Sequence, residues 1–191
     1  MIFIILEERY CMSAFKPLFG REVLINAALW VATRLPEDQC RLHKIFKILW
    51  FADLYHLKKY GRTVTGDTYI AMNNGPVPSV LYDEMKQNPS EGDAFRRFDR
   101  GNEKGFVAPL KEVNADYLSE TDVEALSYSL DLYKDKSFDE LTQLSHKHAW
   151  NSARNAGMNT SIRIDEILDE IGADSELRKY VKDDILFRQA V

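Results

Sequence analysis

Residues 41–61, RLHKIFKILWFADLYHLKKYG, decide the fold. At about 100° per residue they wind into one long helix. Leu42, Ile45, Phe46, Leu49 and Ala52 fall on a single apolar stripe. Gly61 supplies the left-handed residue that closes such a helix. Asp53 and His56 lie inside the stripe, three residues apart, where their side chains can meet. A charge on a core-facing stripe needs a partner. In one reading, Asp53 orients the His56 imidazole as a general base. In the other, the two clasp each other or the backbone of the loop after Gly61, and the lack of a nucleophile beside them favours this. The opposite side carries Lys44, Lys47, Phe51, Leu54, Tyr55 and Lys58. Basic residues interleaved with aromatics suit nucleic acid or an acidic partner. Large apolar residues on both faces suit a central helix covered on two sides, which is the preferred reading.

Upstream, Leu24, Ala28, Val31 and Leu35 recur at helical spacing over Arg21 to Leu35, and Pro36 stops the pattern. Downstream, Thr68 to Met72 reads as a strand bounded by Asn73-Asn74-Gly75. Gly66 and Gly75 suit turns with positive φ. Pro76 and Pro78 fix φ on either side of Val77, with Pro78 in the first turn of a helix reaching about Gln87. The Gly75–Pro76 bond is expected to be trans. Neither TGD nor GPVP has the spacing of a phosphate loop. Phe95 to Phe98 and Phe106 to Leu110 flank DRGNEKG, a hairpin with a long polar loop. Ser119 with Asp122, and Ser137 with Glu140, read as capping boxes. The first opens a helix carrying Val123, Leu126, Leu130 and Tyr133; the second opens one running to about Trp150. A polar stretch from Asn155 to Ser161 leads to two amphipathic helices, one carrying Ile164, Ile167, Leu168 and Ile171, the other Leu177, Val181 and Ile185. The expected fold class is α+β, predominantly α-helical: a helical core with a small β-hairpin or sheet element.

Apolar residues make up 45% of the 191, enough for one sizeable core. A net charge of -5 argues against general nucleic-acid binding. Locally, Arg41 to Arg62 sums to +5 (six basic, one acidic) and Ile164 to Val191 to -4 (four basic, eight acidic), so the acidic tail is a candidate neighbour for the basic helix. Two cysteines, Cys11 and Cys40, make no disulfide framework and fit a reducing cytosol. Ile2 to Leu6 is too short to span a bilayer and lacks the basic start of a signal peptide, so it reads as an added strand or a disordered start. Met12 is a second candidate start, which would leave residues 1–11 outside the natural chain. Cys40 and His43 have workable metal spacing but no second ligand pair. His146 and His148, two apart on a helix, point away from each other. No metal or cofactor is expected.

The run from Leu42 to Lys86, LHKIFKILWFADLYHLKKYGRTVTGDTYIAMNNGPVPSVLYDEMK, resembles the core of the Panacea-domain family, which includes SocA-like antitoxins and phage-associated proteins of the GepA type. The resemblance is carried by FAD-x-x-HL (Phe51, Ala52, Asp53, His56, Leu57), then YGR, TGD, and a strand leading to GPVP and LYD; LSHKHAW, residues 144–150, is a weaker echo. It implies a small cytoplasmic bacterial or phage protein that neutralises a toxin encoded beside it. The implied partners are the cognate toxin, bound directly, and for an adaptor mode a protease such as an ATP-dependent Clp-type enzyme. The family has no agreed catalytic residues, so a non-enzyme is expected. Asp53, His56, Thr65, Asp67, Gly75 and Pro76 match the pattern and frame a pocket of mainly structural character. Lys44, Lys47, Phe51, Tyr55 and Lys58, with the C-terminal extension, are the candidate partner-binding residues. The expected organisation is an extension over 1–20, a SocA-like domain over 21–154 and a helical extension over 155–191. Two alternatives stand beside this: a small enzyme or ligand-binding protein using Asp53 and His56 with Asp67 at the pocket edge, and a DNA-binding regulator acting through Lys44, Lys47 and Lys58, whose binding would weaken steeply with salt.

Overall fold

The long helix forms as α2 (Leu42–Tyr60), closed by Gly61 at φ 75°. In this computed structural model, which describes residues 17–86 and 92–190, α2 is the axis of the molecule. The expectations for Ile2 to Leu6, Cys11 and Met12 lie outside the described residues. Both faces of α2 are buried: Ile45, Leu49 and Ala52 on one, Lys47, Trp50 and Phe51 on the other. The preferred reading of a helix covered on two sides therefore holds.

Helix α1 (Arg21–Ala32) packs on α2 and is buried without a break from Leu24 to Ala32. It stops a turn short of Leu35, and the Thr33 and Arg34 amides close it on the Leu29 and Val31 carbonyls. Strand β1 (Tyr69–Met72) forms as expected. Its partner β2 (Gly75–Pro78) pairs antiparallel, Tyr69 opposite Pro78 and Met72 opposite Gly75. GPVP is thus a strand, and Pro78 ends it rather than starting a helix. Pro78 clashes with an α conformation of the residue before it, which holds Val77 extended, while Gly75, before Pro76, takes φ 103°. Helix α3 begins one residue later, at Ser79, and runs to Lys86. Every described peptide bond is trans.

The other edge of β1 is taken by the expected polar loop. Ala71 N–H donates to the Thr160 carbonyl at 2.9 Å and Ile162 N–H to the Tyr69 carbonyl at 2.8 Å. Strands β3 (Phe95–Arg100) and β4 (Glu103–Pro109) form the second hairpin. They run through most of DRGNEKG and leave only Gly101-Asn102 at the tip, with Gly101 at φ 58°. Its polar residues are strand because one face of the hairpin meets water.

Helix α4 (Glu120–Tyr133) and helix α5 (Phe138–Ser145) both open on the expected capping boxes. Helix α5 does not reach Trp150. Ser145 Oγ turns back to the Thr142 carbonyl at 3.0 Å, His146 takes ψ 59°, and a new helix α6 runs from His148 to Ala156. Such back-bonding by serine loosens a helix end. His146 and His148 consequently sit on either side of a break, not on one helix. Helices α7 (Ile164–Glu170) and α8 (Ser175–Ala190) complete the chain.

Two apolar clusters meet on α2. One joins it to α1, Leu81 and Met85 of α3, Phe95, Val107, and Leu126 and Leu130 of α4. The other joins Trp50, Phe51 and Leu57 to Tyr69, Leu141, Ala149, Ile162, Ile167, Leu168 and Val181. The architecture is α+β and predominantly helical, with two small antiparallel hairpins. Among the described residues, no helix is long and apolar enough to cross a membrane.

Candidate functional site

The buried stripe of α2 delivers Asp53 to the loop that follows the helix. Its Oδ1 accepts the Val64 and Thr65 amides at 2.7 and 2.9 Å, and its Oδ2 accepts the Tyr69 hydroxyl at 2.8 Å and the Thr65 hydroxyl at 2.5 Å. Burial pushes the carboxyl up to about 6, against the pull of these four donors. It is therefore ionised at neutral pH. The same burial, with Asp53 as neighbour, drives the Tyr69 phenol well above its ordinary value.

His56 looks elsewhere. Its Nδ1 lies 2.8 Å from the Arg62 carbonyl, which fixes that nitrogen as the donor. Its Nε2 then accepts the Thr121 hydroxyl at 3.0 Å, with Asp122 Oδ1 at 3.4 Å. Arg62 pairs with the same Asp122 oxygen at 2.8 Å. Burial keeps the imidazole below its ordinary value and hence neutral. Among the described residues no hydrogen bond or ion pair joins Asp53 to His56. The general-base arrangement is absent because each side chain is taken by other partners: both hold the loop after Gly61, Asp53 at Val64 and Thr65 and His56 at Arg62, and His56 also reaches Thr121 on α4.

Asp67 caps a helix that starts twelve residues further along the chain. Its Oδ2 accepts the Leu81 amide at 3.0 Å, while Oδ1 takes the Thr68 amide at 2.7 Å and the Val80 amide and Ser79 hydroxyl at 3.2 Å. Carboxylate on free N-terminal amides is the usual remedy for a helix start. Thus Asp53 holds Val64 and Thr65 and Asp67 holds the start of α3, with TGD as the connection. A cleft of about 210 Å³ beside them is lined by Asp53, Asp67, Thr68 and Tyr69 on one side and by Ile164, Ile167 and Ile185 on the other.

Lys47 is 1% exposed, not a surface cation. Its Nζ donates to the Pro76 carbonyl at 2.8 Å, and its stem lies against Gly75. Burial pushes the ammonium down to about 7. The ordinary lysine value lies near 10.5. Between these values the unfolded chain keeps the proton and the folded chain releases it, so stability rises with pH across that window. From pH 7 to 8.5 the urea midpoint should increase by the equivalent of about 1 kcal/mol, and Lys47→Met should flatten the rise. An equal slope in the variant would remove Lys47 as its source.

Of the other proposed contact residues, Phe51 is buried and stacks on Tyr133 at 4.0 Å. Lys44 is half-buried, donating to Gln39 Oε1 and the Lys134 carbonyl. Tyr55 is half-exposed and stacks on Tyr128 at 4.2 Å, and Lys58 is exposed. With Lys47 buried and Lys44 engaged, α2 offers no continuous basic stripe to a nucleic acid. Cys40 is buried against the Ala32 carbonyl and its thiol is pushed up to about 11. His43 bonds to the Thr142 hydroxyl instead. Among the described residues, no three His, Cys, Asp or Glu side chains converge as a metal site.

Sequence reasoning missed how Lys47 reaches across to β2. The available signal was a lysine flanked by Phe46 and Ile48 within a helix apolar on both faces. Residues 45–151 match the family described as antitoxin SocA-like, Panacea domain, a span that includes nearly all of α2, the TGD loop, both hairpins and the break between α5 and α6. No curated protein and no solved structure matches the chain. Because that span exceeds half of the 191 residues, the chain belongs to the SocA-like antitoxin family, as a Panacea-domain protein.

Proposed function

We propose that this protein neutralises a toxin encoded beside it, by direct protein–protein binding. The family match over residues 45–151 carries the reading. The placement of polar groups supports it. Asp53, His56, Thr65 and Asp67 spend their hydrogen bonds on the fold itself, leaving recognition to the surface. There, Tyr128 and Leu132 are 48% and 47% exposed, one turn apart on α4, with Tyr55 of α2 stacked beside them. Glu124 borders this patch, held by Tyr55, Lys59 and Tyr60. An aromatic and aliphatic centre with a charged rim is the usual make-up of an interface anchor. A proteolytic adaptor would use the same capture step before handing the toxin to a Clp-type protease.

The test is colony survival. The adjacent open reading frame, induced alone, should kill, and co-expression of this chain should rescue. The double variant Tyr128→Ala, Leu132→Ala should retain its melting temperature and weaken toxin binding by about 10- to 100-fold. A harmless neighbour, or no rescue, would end the antitoxin reading. Full affinity in the double variant would move the binding face away from α4. Point variants are the appropriate tool, because Ile162, Ile167, Leu168, Ile171 and Val181 are part of the second apolar cluster, which a truncation at 155 would open.

A further inference from the structure

Basic groups from three directions surround the β1–β2 turn. Lys47 reaches Pro76 from α2, and His43, one turn earlier, faces Thr142. His146, at the break between α5 and α6, stacks flat on Trp150 at 3.6 Å and 7°. Trp150 Nε1 donates to the Met72 carbonyl at 2.9 Å, and Arg154, one turn further along α6, donates one Nη to Asn73 Oδ1 at 2.6 Å. The turn is thereby clamped at Met72, Asn73 and Pro76 by three donors.

Several donors remain unused. His146 Nε2 and the second Arg154 Nη are buried and, among the described residues, have no hydrogen-bond partner. Lys47 has three N–H bonds and a single acceptor, Pro76. Buried donors without acceptors cost free energy comparable to a lost hydrogen bond each. Among the described residues, no carboxylate is paired with these groups. The basic groups acting on His43 are Lys47, His146 and Lys44, opposed in part by a hydrogen bond to the Asn74 backbone; those acting on His146 are Lys47 and Arg154. The nearest acid on the neighbouring helix α7, Glu170, is turned to the Ala149 amide at 2.8 Å. Burial, aided by repulsion from Lys47, holds His146 below its ordinary value and His43 down at about 3. Meanwhile Asn73 and Asn74 are exposed, and His146 and Arg154 are only half-buried, so the cluster is open to the surface at the turn.

We propose that this cluster is an oxyanion subsite, in which His146 and Arg154 donate to the oxygens of a carboxylate or phosphate at the β1–β2 turn and Lys47 supplies positive charge behind them. An arginine fork matches the paired oxygens of such groups. The anion satisfies the unused donors and offsets the positive charge of Lys47 and Arg154. Its source is either a free phosphate or an acidic side chain presented by a partner. The proposal does not rest on the antitoxin reading, since no toxin enters its test.

Calorimetric titration of the purified protein with sulfate, inorganic phosphate and tetraglutamate decides it. At least one probe should saturate. His146→Gln and Arg154→Gln should each weaken it about tenfold, and Arg154→Lys by less. Saturation by tetraglutamate alone supports a carboxylate from a partner; saturation by sulfate and phosphate alone supports a free anion. No saturation by any probe, or equal affinity in wild type and the double Gln variant, overturns the site. Should the Arg154 variants fail to fold, the wild type still decides. Sulfate keeps its charge from pH 8 to 6, so its affinity must rise as pH falls and His146 and Lys47 take up protons. Affinity that ignores pH would refute the subsite.

Discussion

Replacing Asp53 with alanine should lower the melting temperature by about 10 °C, equivalent to about 4 kcal/mol in a chain of this size. Four donors converge on this carboxylate: two backbone amides, the Thr65 hydroxyl and the Tyr69 hydroxyl. Alanine leaves all four buried with no acceptor. Asparagine should be far milder, about 1 kcal/mol. Its carbonyl can still face the two amides, and its amide can donate to two hydroxyls that turn round to accept. The ranking is the informative part. Alanine and asparagine equally damaging, or equally harmless, would contradict a loop held by these four bonds. A pH signature accompanies it. Asp53 is raised from 3.8 to about 6 by burial, so its contribution is full below pH 3.8 and lost as pH rises through 6. Other acids slope the opposite way, among them Asp122, which the Arg62 and Ser119 contacts hold low against its burial. The observable is therefore the difference between wild type and Asp53→Asn from pH 4 to 6.5. It should grow in the variant's favour as pH rises.

The parts of this molecule that could be read from sequence are those fixed within a turn or two of chain. Helix α2 announces itself by its apolar stripe and by Gly61. The starts of α4 and α5 follow from Ser119 and Ser137 with a carboxylate three residues on. Asp53 and His56 were legible as buried polar groups needing partners, but not as groups needing different ones. The partners of His56 on α4, Thr121 and Asp122, lie more than 60 residues away, and no local pattern connects them. Strand β2 was misread because Pro78 suits a helix start on its own. The stronger signal was the restriction that Pro78 imposes on Val77, with Pro76 fixing φ just before it. The break after Ser145 carries neither glycine nor proline. It is marked by Ser145 bonding back to Thr142 and by His146 lying flat on Trp150, a contact visible only once both helices are placed. Lys47 illustrates the same limit: a lysine on a helix reads as solvated until the rest of the fold covers it.

Gly75→Ala should be the most damaging single-methyl change in the β1–β2 hairpin. Gly75 has φ 103°, a conformation that side chains rarely adopt. An added Cβ would lie 2.4 Å from Ser145 Oγ, 2.7 Å from Lys47 Cε and 2.9 Å from Lys47 Nζ. Lysine ends usually swing away, but this one is buried and tied to Pro76. Ser145 is likewise fully buried, and its hydroxyl is bonded to Thr142. The strain and the clash therefore add, and the expected loss is about 3 to 5 kcal/mol, near 10 °C. Ser145→Ala separates the two contributions. Alone it should cost about 1 kcal/mol. Combined with Gly75→Ala it removes the closest contact but not the backbone strain, so the double variant should be more stable than the sum of the two losses predicts. Strict additivity would place the whole cost in the backbone. A Gly75→Ala protein within 1 kcal/mol of wild type would mean that Lys47 and Ser145 yield freely and that the turn is not held by them. The contact also links this glycine to the anion subsite, since any shift of Lys47 off Pro76 moves the positive charge behind His146. Gly75→Ala should weaken sulfate binding even in the fraction that remains folded, whereas Gly101→Ala, at a glycine with open space around it, should leave that affinity unchanged.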